Sequence, residues 1–420
     1  MGITGIWEHM TKQLENVNID DLRNKTLSID GHIWLFESLE GSSRFKKDGT
    51  ASCLTTFFQR CQRLREKKIE PLIIFDCYSR EPTDIDANCW NSRKRNRNHL
   101  FISQSFSSTR YHTILFNVTS LLDALGVCWL EAKMDGEAQC AYLEQIGLTQ
   151  GCVTSDFDYF LFGGSNLYKI DFGNGSKTVV SNVRHLSIEM IKTDYHLTRS
   201  RLITMAMLLG CDYYRHGVGK AGFVTALEII AEFTEDGETG EDDTVMILDR
   251  FVSYCTEEVP ERPTDSIKKR KLRKKKFEFT PGFPNSEEVL NSVRIYTKPS
   301  VFQYNPTPKK NPNMAELKRI MIGMCQWSED RFAEETERSE RKKTKFADSW
   351  KQPKITNFFS ITKKKTVNEE SKISFGSKRE GAAMKNLKRK SIGIESNSVY
   401  SSSLAPPPEK KRSSKFLLAD

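Results

Sequence analysis

Short apolar runs alternate with longer amphipathic stretches along the first 235 residues. TLSID (26–30), PLIIFD (71–76), GVCWLEA (126–132) and GCVTSDFD (151–158) are brief, rich in β-branched or aromatic residues, and most end on aspartate. Between them, the stretches 54–67, 111–125 and 137–145 carry apolar residues at helical spacing. Apolar strands separated by helices predict an α/β fold, with a mostly parallel central sheet covered by helices on both faces.

Two more helices are expected in RSRLITMAMLLG and FVTALEIIAEF, joined by the glycine-rich turn HGVGKAG (216–222). An acidic loop (234–243) follows, then an amphipathic stretch and the run KKRKLRKKK (268–276), in which Leu272 alone is not basic. Residues 282–300 and the helix-like MAELKRIMIGMC (314–325) retain enough apolar residues to pack on the core. Beyond about residue 340, Ser, Lys, Asn and Pro dominate and periodicity is lost. Such a tail buries too little apolar surface to offset the entropy of ordering it, so it is expected to be disordered.

The chain has 420 residues and a net charge of +9, long enough for two or three units and basic enough to suit an anionic partner. Ten cysteines are scattered without a Cys-x-x-Cys pair, which argues against a zinc ribbon and for reduced thiols in an intracellular protein. No apolar run is long enough to span a bilayer, the start lacks a signal-peptide pattern, and Ile6 stands where a myristoylation signal needs Ser or Thr. A soluble protein is expected, with no membrane partner.

Candidate chemistry lies in the carboxylates. Asp30, Asp76 and Asp156 each follow an apolar run, and strand C-termini in a parallel sheet open onto one common edge. Asp135 and Glu137 precede a helix, Asp158 lies two residues past Asp156, and Asp212 follows the helix ending LLG. One aspartate after a strand is usually a turn residue or a helix cap. Seven acids converging from such separate places would repel one another unless cations neutralised them. Hard oxygen donors suit Mg²⁺, and two such ions ~4 Å apart activate water and neutralise the leaving oxygen of a phosphodiester.

At these residues the chain resembles the XPG-type flap endonuclease superfamily over roughly residues 1–300, and within it the GEN-type Holliday junction resolvases. MGITGIWEHM resembles the family opening, which implies that Gly2 lies near the catalytic pocket. LRNKTLSIDGHIWLFES, PLIIFDCYSREP, MDGEAQCAYLEQIG, GCVTSDFDYFLFG and LLGCDYYRHGVG resemble the metal-site segments in family order. The resemblance thus gives Asp30, Asp76, Asp135, Glu137, Asp156, Asp158 and Asp212 as ligands of two Mg²⁺ ions, with Mn²⁺ able to substitute. Asp135 stands where the family usually has Glu, Cys77 where Gly is common, and Lys220 where Gly is usual in the helix-hairpin-helix turn. The boundaries implied are an N-terminal nuclease region (1–100), an internal nuclease region ending in the helix-hairpin-helix (101–235), a basic extension (236–340) and the tail (341–420).

NSRKRNRNHLF (91–101) resembles the family's helical gateway, in which Lys94 and Arg95 would steer the scissile phosphate, with Arg93 and Arg97 beside them. A lone basic cluster is otherwise a solvated helical face. The short Ser- and Thr-rich stretch after it implies an open gateway suited to junctions without a free end. Gly217, Gly219, Lys220 and Gly222 in the hairpin turn would meet a duplex phosphate without reading sequence. In the tail, Gln352, Ile355, Phe358 and Phe359 resemble the box by which replication factors dock on the sliding clamp.

The expected function is Mg²⁺-dependent cleavage of branched double-stranded DNA, Holliday junctions and 5′ flaps, in nuclear recombination and repair, with a dimer expected on four-way junctions. Two alternatives stand beside it: a replicative 5′ flap endonuclease acting with the clamp, and a catalytically weak DNA-binding or damage-signalling adaptor.

Overall fold

The computed structural model describes residues 2–43, 49–77, 108–173, 182–235, 243–303 and 311–338. Seven strands form one sheet: β1 (Glu15–Val17), β2 (Thr26–Asp30), β3 (Glu70–Phe75), β4 (Cys128–Glu131), β5 (Cys152–Val153), β6 (Asn166–Asp171) and β7 (Asn182–Ser187). Their order is β1-β7-β6-β5-β2-β3-β4. The block from β6 to β4 is parallel, with Ile29 opposite Ile73 on one side and Val153 on the other. β7 and β1 extend it antiparallel. The expected parallel sheet is therefore its central block, and the antiparallel edge is an addition. β7 and β1 are only partly buried, so their sequence lacks the continuous apolar signature of the central strands.

Both faces of the block are covered. Along β3, Leu72 and Ile74 join one apolar cluster while Ile73 and Phe75 join the other, the period-two alternation of a strand buried on both sides. One cluster lies under helices Gly49–Glu66, Ser108–Leu125 and Met314–Gly323, and includes Trp34, Phe57, Leu121 and Met321. The other takes in Leu143, Phe160, Leu202, Ile229, Phe251 and Tyr296 from helices on the opposite face. The stretches 282–300 and 314–325 do pack: helix Glu287–Thr297 buries Val289, Val293 and Tyr296, and Met314–Gly323 buries Leu317, Ile320 and Met321.

The chain runs β2, β3, β4 in one direction across the sheet, then returns to place β5 on the other side of β2. Such a reversal opens a crevice at the carboxyl ends of the strands. Among the described residues no helix is long and apolar enough to cross a membrane. The described cysteines are free thiols, and burial pushes Cys61 and Cys211 up to about 12, which keeps them protonated and unreactive.

Candidate metal centre

Asp30, Asp76, Asp135, Glu137, Asp156 and Asp158 are all buried, and among the described residues Asp243 is the only other buried carboxylate. Burying a carboxylate is costly unless hydrogen bonds or a cation compensate it, so six around one crevice require a common cause. Oxygens of Asp76, Asp135 and Glu137 lie within 4.8 Å of one another. Asp76 follows β3, while Asp135 and Glu137 flank Gly136 at the start of helix Gly136–Gln145. The Gly136 amide donates to Asp76 Oδ1 at 2.7 Å, and a Cβ on Gly136 would approach that oxygen to 2.9 Å.

The other acids connect to this trio through short links. Asp30 caps helix Gly31–Ser43, its Oδ1 accepting from the amides of His32 at 3.0 Å and Ile33 at 3.3 Å. The capping reading and the site reading of this aspartate thus both hold, because one oxygen caps while Thr154 donates to the other, Oδ2, at 3.1 Å. Thr154 Oγ1 in turn accepts from the Asp156 amide at 3.0 Å, and Asp156 Oδ1 from the Asp158 amide at 3.1 Å. His32 closes the circuit to Asp76: its Nδ1 accepts from the Asp76 amide at 3.0 Å. That assigns the proton to Nε2, which faces the Tyr111 hydroxyl.

Two phenols complete the surround. The Tyr213 hydroxyl donates to Asp135 Oδ2, and the Tyr296 hydroxyl to Asp158 Oδ2 at 2.7 Å. Burial, reinforced by the Asp158 carboxylate, pushes the Tyr296 phenol well above its ordinary value, so it stays a donor. Asp212 is half-buried, one residue before Tyr213, and its charge acts on Tyr296. Gly2, at φ +86°, lies where a Cβ would come within 2.6 Å of Asp158 Oδ1 and 2.7 Å of Asp156 Oδ1. The donor set is all hard oxygen, buried and strongly anionic, which fits a divalent cation of the Mg²⁺ type and not a soft metal.

The structure thus brings six of the seven predicted acids and Gly2 into one linked crevice, with Asp212 at its margin. Lys94, Arg95, Arg93 and Arg97 lie outside the described residues, as do Gln352, Ile355, Phe358 and Phe359. Sequence reasoning missed His32, Thr154, Tyr213 and Tyr296. The first three lie inside or beside quoted motifs, while Tyr296 sits in a helix with no acidic motif near it.

In the hairpin turn, Lys220 takes φ +70°, a conformation glycine adopts more readily, and its ammonium pairs with Glu278 at 2.9 Å. Gly219 forms a bridge with Glu278, donating its amide to that carbonyl at 2.8 Å. The Val218 and Ala221 amides are likewise used inside the protein, by Leu208 and Val218 carbonyls. The expectation that the whole turn offers its amides is therefore narrowed. The start of helix Phe223–Phe233 has no side-chain cap, since its N-cap is Gly222.

Matches to known proteins bear on this geometry. The XPG N-terminal domain family matches residues 1–100 and the XPG I-region family residues 126–212. Flap endonuclease GEN homolog 1 of Mus musculus is 29% identical over 238 residues, covering 56% of this chain and 25% of that protein. DNA excision repair protein ERCC-5 of Mus musculus is 36% identical over 173 residues, 39% of this chain and 13% of that protein. The chain thus matches about a quarter or less of the length of these relatives. Among solved structures, the catalytic core of Rad2 in complex with DNA substrate superposes with a TM-score of 0.63 at 25% identity, over 80% of this chain and 100% of that one.

Proposed function

Because the chain belongs to the XPG-type flap endonuclease superfamily, we propose that it is a Mg²⁺-dependent endonuclease that cuts branched DNA by phosphodiester hydrolysis. The observation that carries this reading is the ring of six buried carboxylates at the sheet's switch point, three of them within 4.8 Å of one another. Asp76, Asp135 and Glu137 would hold an ion directly, with Asp30, Asp156, Asp158 and Asp212 completing the set for two. When bound, the ions supply a nucleophilic water and neutralise the leaving oxygen. Thr154 would hold the Asp30 carboxylate, and His32 the Asp76 backbone, around that place. Gly2 keeps the rim beside Asp156 and Asp158 open for a phosphate, and Lys94 and Arg95, flanked by Arg93 and Arg97, orient it.

Duplex beyond the cut is held by phosphates. The basic run forms helix Ile267–Lys274, whose Leu272 is buried and whose Lys268, Lys271 and Lys274 are exposed. It is tied to helix Phe223–Phe233 by Lys275, which donates to Thr225 Oγ1 at 2.9 Å. The uncapped helix start at Gly222 and this basic stripe would form one sequence-independent surface, weakening steeply with salt. Such a protein acts in the nucleus, in recombination and repair, and a dimer on four-way junctions would place one cut on each side. The 352–359 box would tether it to the sliding clamp.

A nicking panel in Mg²⁺, with a four-way junction and a 5′ flap, tests the proposal. The wild type should cut, and Asp30→Asn, which preserves the helix cap, should lose at least roughly 100-fold, beyond what a change outside the ligands costs. Symmetric nicks in the junction identify a resolvase, and preference for the flap with clamp stimulation identifies the replicative enzyme. Tight binding of branched DNA without any cutting would identify the adaptor and end the proposal.

A further inference from the structure

Tyr213 and Tyr296 come from separate parts of the chain, one just past helix Arg199–Leu209 and the other inside helix Glu287–Thr297. Their rings meet edge to face, with centroids 5.3 Å apart. Each phenol donates to a different acid of the crevice, Tyr213 to Asp135 Oδ2 and Tyr296 to Asp158 Oδ2. Asp135 belongs to the trio with Asp76 and Glu137, while Asp158 belongs with Asp156 beside Gly2. The ring pair therefore spans the two halves of the acidic set.

The helix carrying Tyr296 is itself anchored at this point. Arg199 donates through Nη2 to the Tyr296 carbonyl at 2.6 Å and through Nε to the Leu161 carbonyl at 2.8 Å. Leu161 ends the short helix that Asp158 begins. One guanidinium thus fixes the phenol and its acid in a common frame. Phe162 also packs on the Tyr296 ring, centroids 5.1 Å apart.

We infer that Tyr213 and Tyr296 are positioning residues of the metal centre, holding Asp135 and Asp158 by one oxygen each so that the acids keep their spacing and orientation when no cation is bound. The inference rests on the proposed metal reading. A carboxylate held by a neutral donor keeps its charge and loses its rotational freedom, so less ordering remains to be done on cation binding. Partners of this kind change metal affinity by roughly 10–100-fold when removed. The helix Glu287–Thr297, beyond both matched family regions, becomes on this view a working part of the site.

The test uses the full chain, the variants Tyr213→Phe and Tyr296→Phe, and Tyr195→Phe as a control phenol at the edge of the core. Mn²⁺ is titrated into DNA-free protein by calorimetry. Each of the two variants should bind Mn²⁺ about tenfold or more weakly than wild type, with the control unchanged. Cleavage at low Mn²⁺ should fall in parallel and return towards the wild-type rate as Mn²⁺ is raised, a rescue that mere loss of packing would not allow. Should one variant fold poorly, the other carries the same test. Wild-type Mn²⁺ affinity in both variants overturns the inference while leaving the metal reading intact. Absence of Mn²⁺ binding by the wild type overturns both.

Discussion

At Gly2 and Gly136 a missing side chain lets backbone and carboxylate approach. Gly2 is held at φ +86° with two aspartate oxygens under 3 Å from any added Cβ, and Gly136 would press on Asp76. Gly2→Ala should thus combine backbone strain of about 1–3 kcal/mol with a displaced Asp156 or Asp158, lowering Mn²⁺ affinity tenfold or more by calorimetry. Gly136→Ala, free of the φ problem, should move only Asp76 and show the smaller loss. Another residue-scale prediction concerns pH. Burial, with lesser effects from Glu15, Lys25 and Glu144, holds His185 below its ordinary value of 6.5, and its Nε2 meets Asn166 Oδ1 at 2.9 Å. The folded state then binds the proton less readily than the unfolded one. The stability this gives is present above pH 6.5 and is lost as pH falls through the lower folded value. Urea midpoints between pH 7.5 and 5 should decline, and His185→Gln should flatten that part of the decline.

Among the elements, the basic helix Ile267–Lys274 illustrates how packing divides a uniform charge run. Lys269 lies over the Phe233 and Tyr254 rings, at 4.9 and 5.2 Å, and Arg273 over Tyr254 at 4.8 Å while donating to the Val259 carbonyl. Arg270 donates to the Pro263 carbonyl. These cations are structural, whereas Lys271 and Lys274, a turn apart, face solvent with Lys276. Lys271→Glu and Lys274→Glu should each weaken duplex binding for all sequences and reduce the salt slope by about one, read from affinity against salt concentration. Leu272→Ala removes the buried anchor, and should cost about 2–5 kcal/mol of local stability along with the same DNA binding. The run itself was legible in sequence. Which of its members are available was not, because Tyr254, Phe233 and Val259 come from other helices and loops.

For the whole molecule, the acids oppose folding when no cation is present and favour it when one binds. Saturating Mg²⁺ at 100 times its dissociation constant should add ~2.7 kcal/mol to stability. For a folded region of this size that corresponds to roughly a 5 °C rise in melting temperature, reversed by EDTA. Asp30→Asn and Asp76→Asn should melt higher than wild type without metal and gain less from it, because each removes a charge from the crowded crevice. A melting point indifferent to Mg²⁺ in the wild type would contradict this picture.

The order of apolar runs and helices fixed the α/β class, the two covered faces of the central strands, and the acids at strand ends, because these follow from local periodicity and from the single direction in which parallel strands end. The helix-hairpin-helix and the packing of 282–300 and 314–325 were legible for the same reason. Tertiary structure alone decided the antiparallel edge of β7 and β1, whose half-buried strands carry a weak local signal. It alone brought Thr154 to Asp30, His32 to Asp76 and Tyr296 to Asp158, the last across 138 positions. Spacing along a chain carries no information about partners so far apart. Their meeting depends on where the sheet reverses its order and on which helices then cover it.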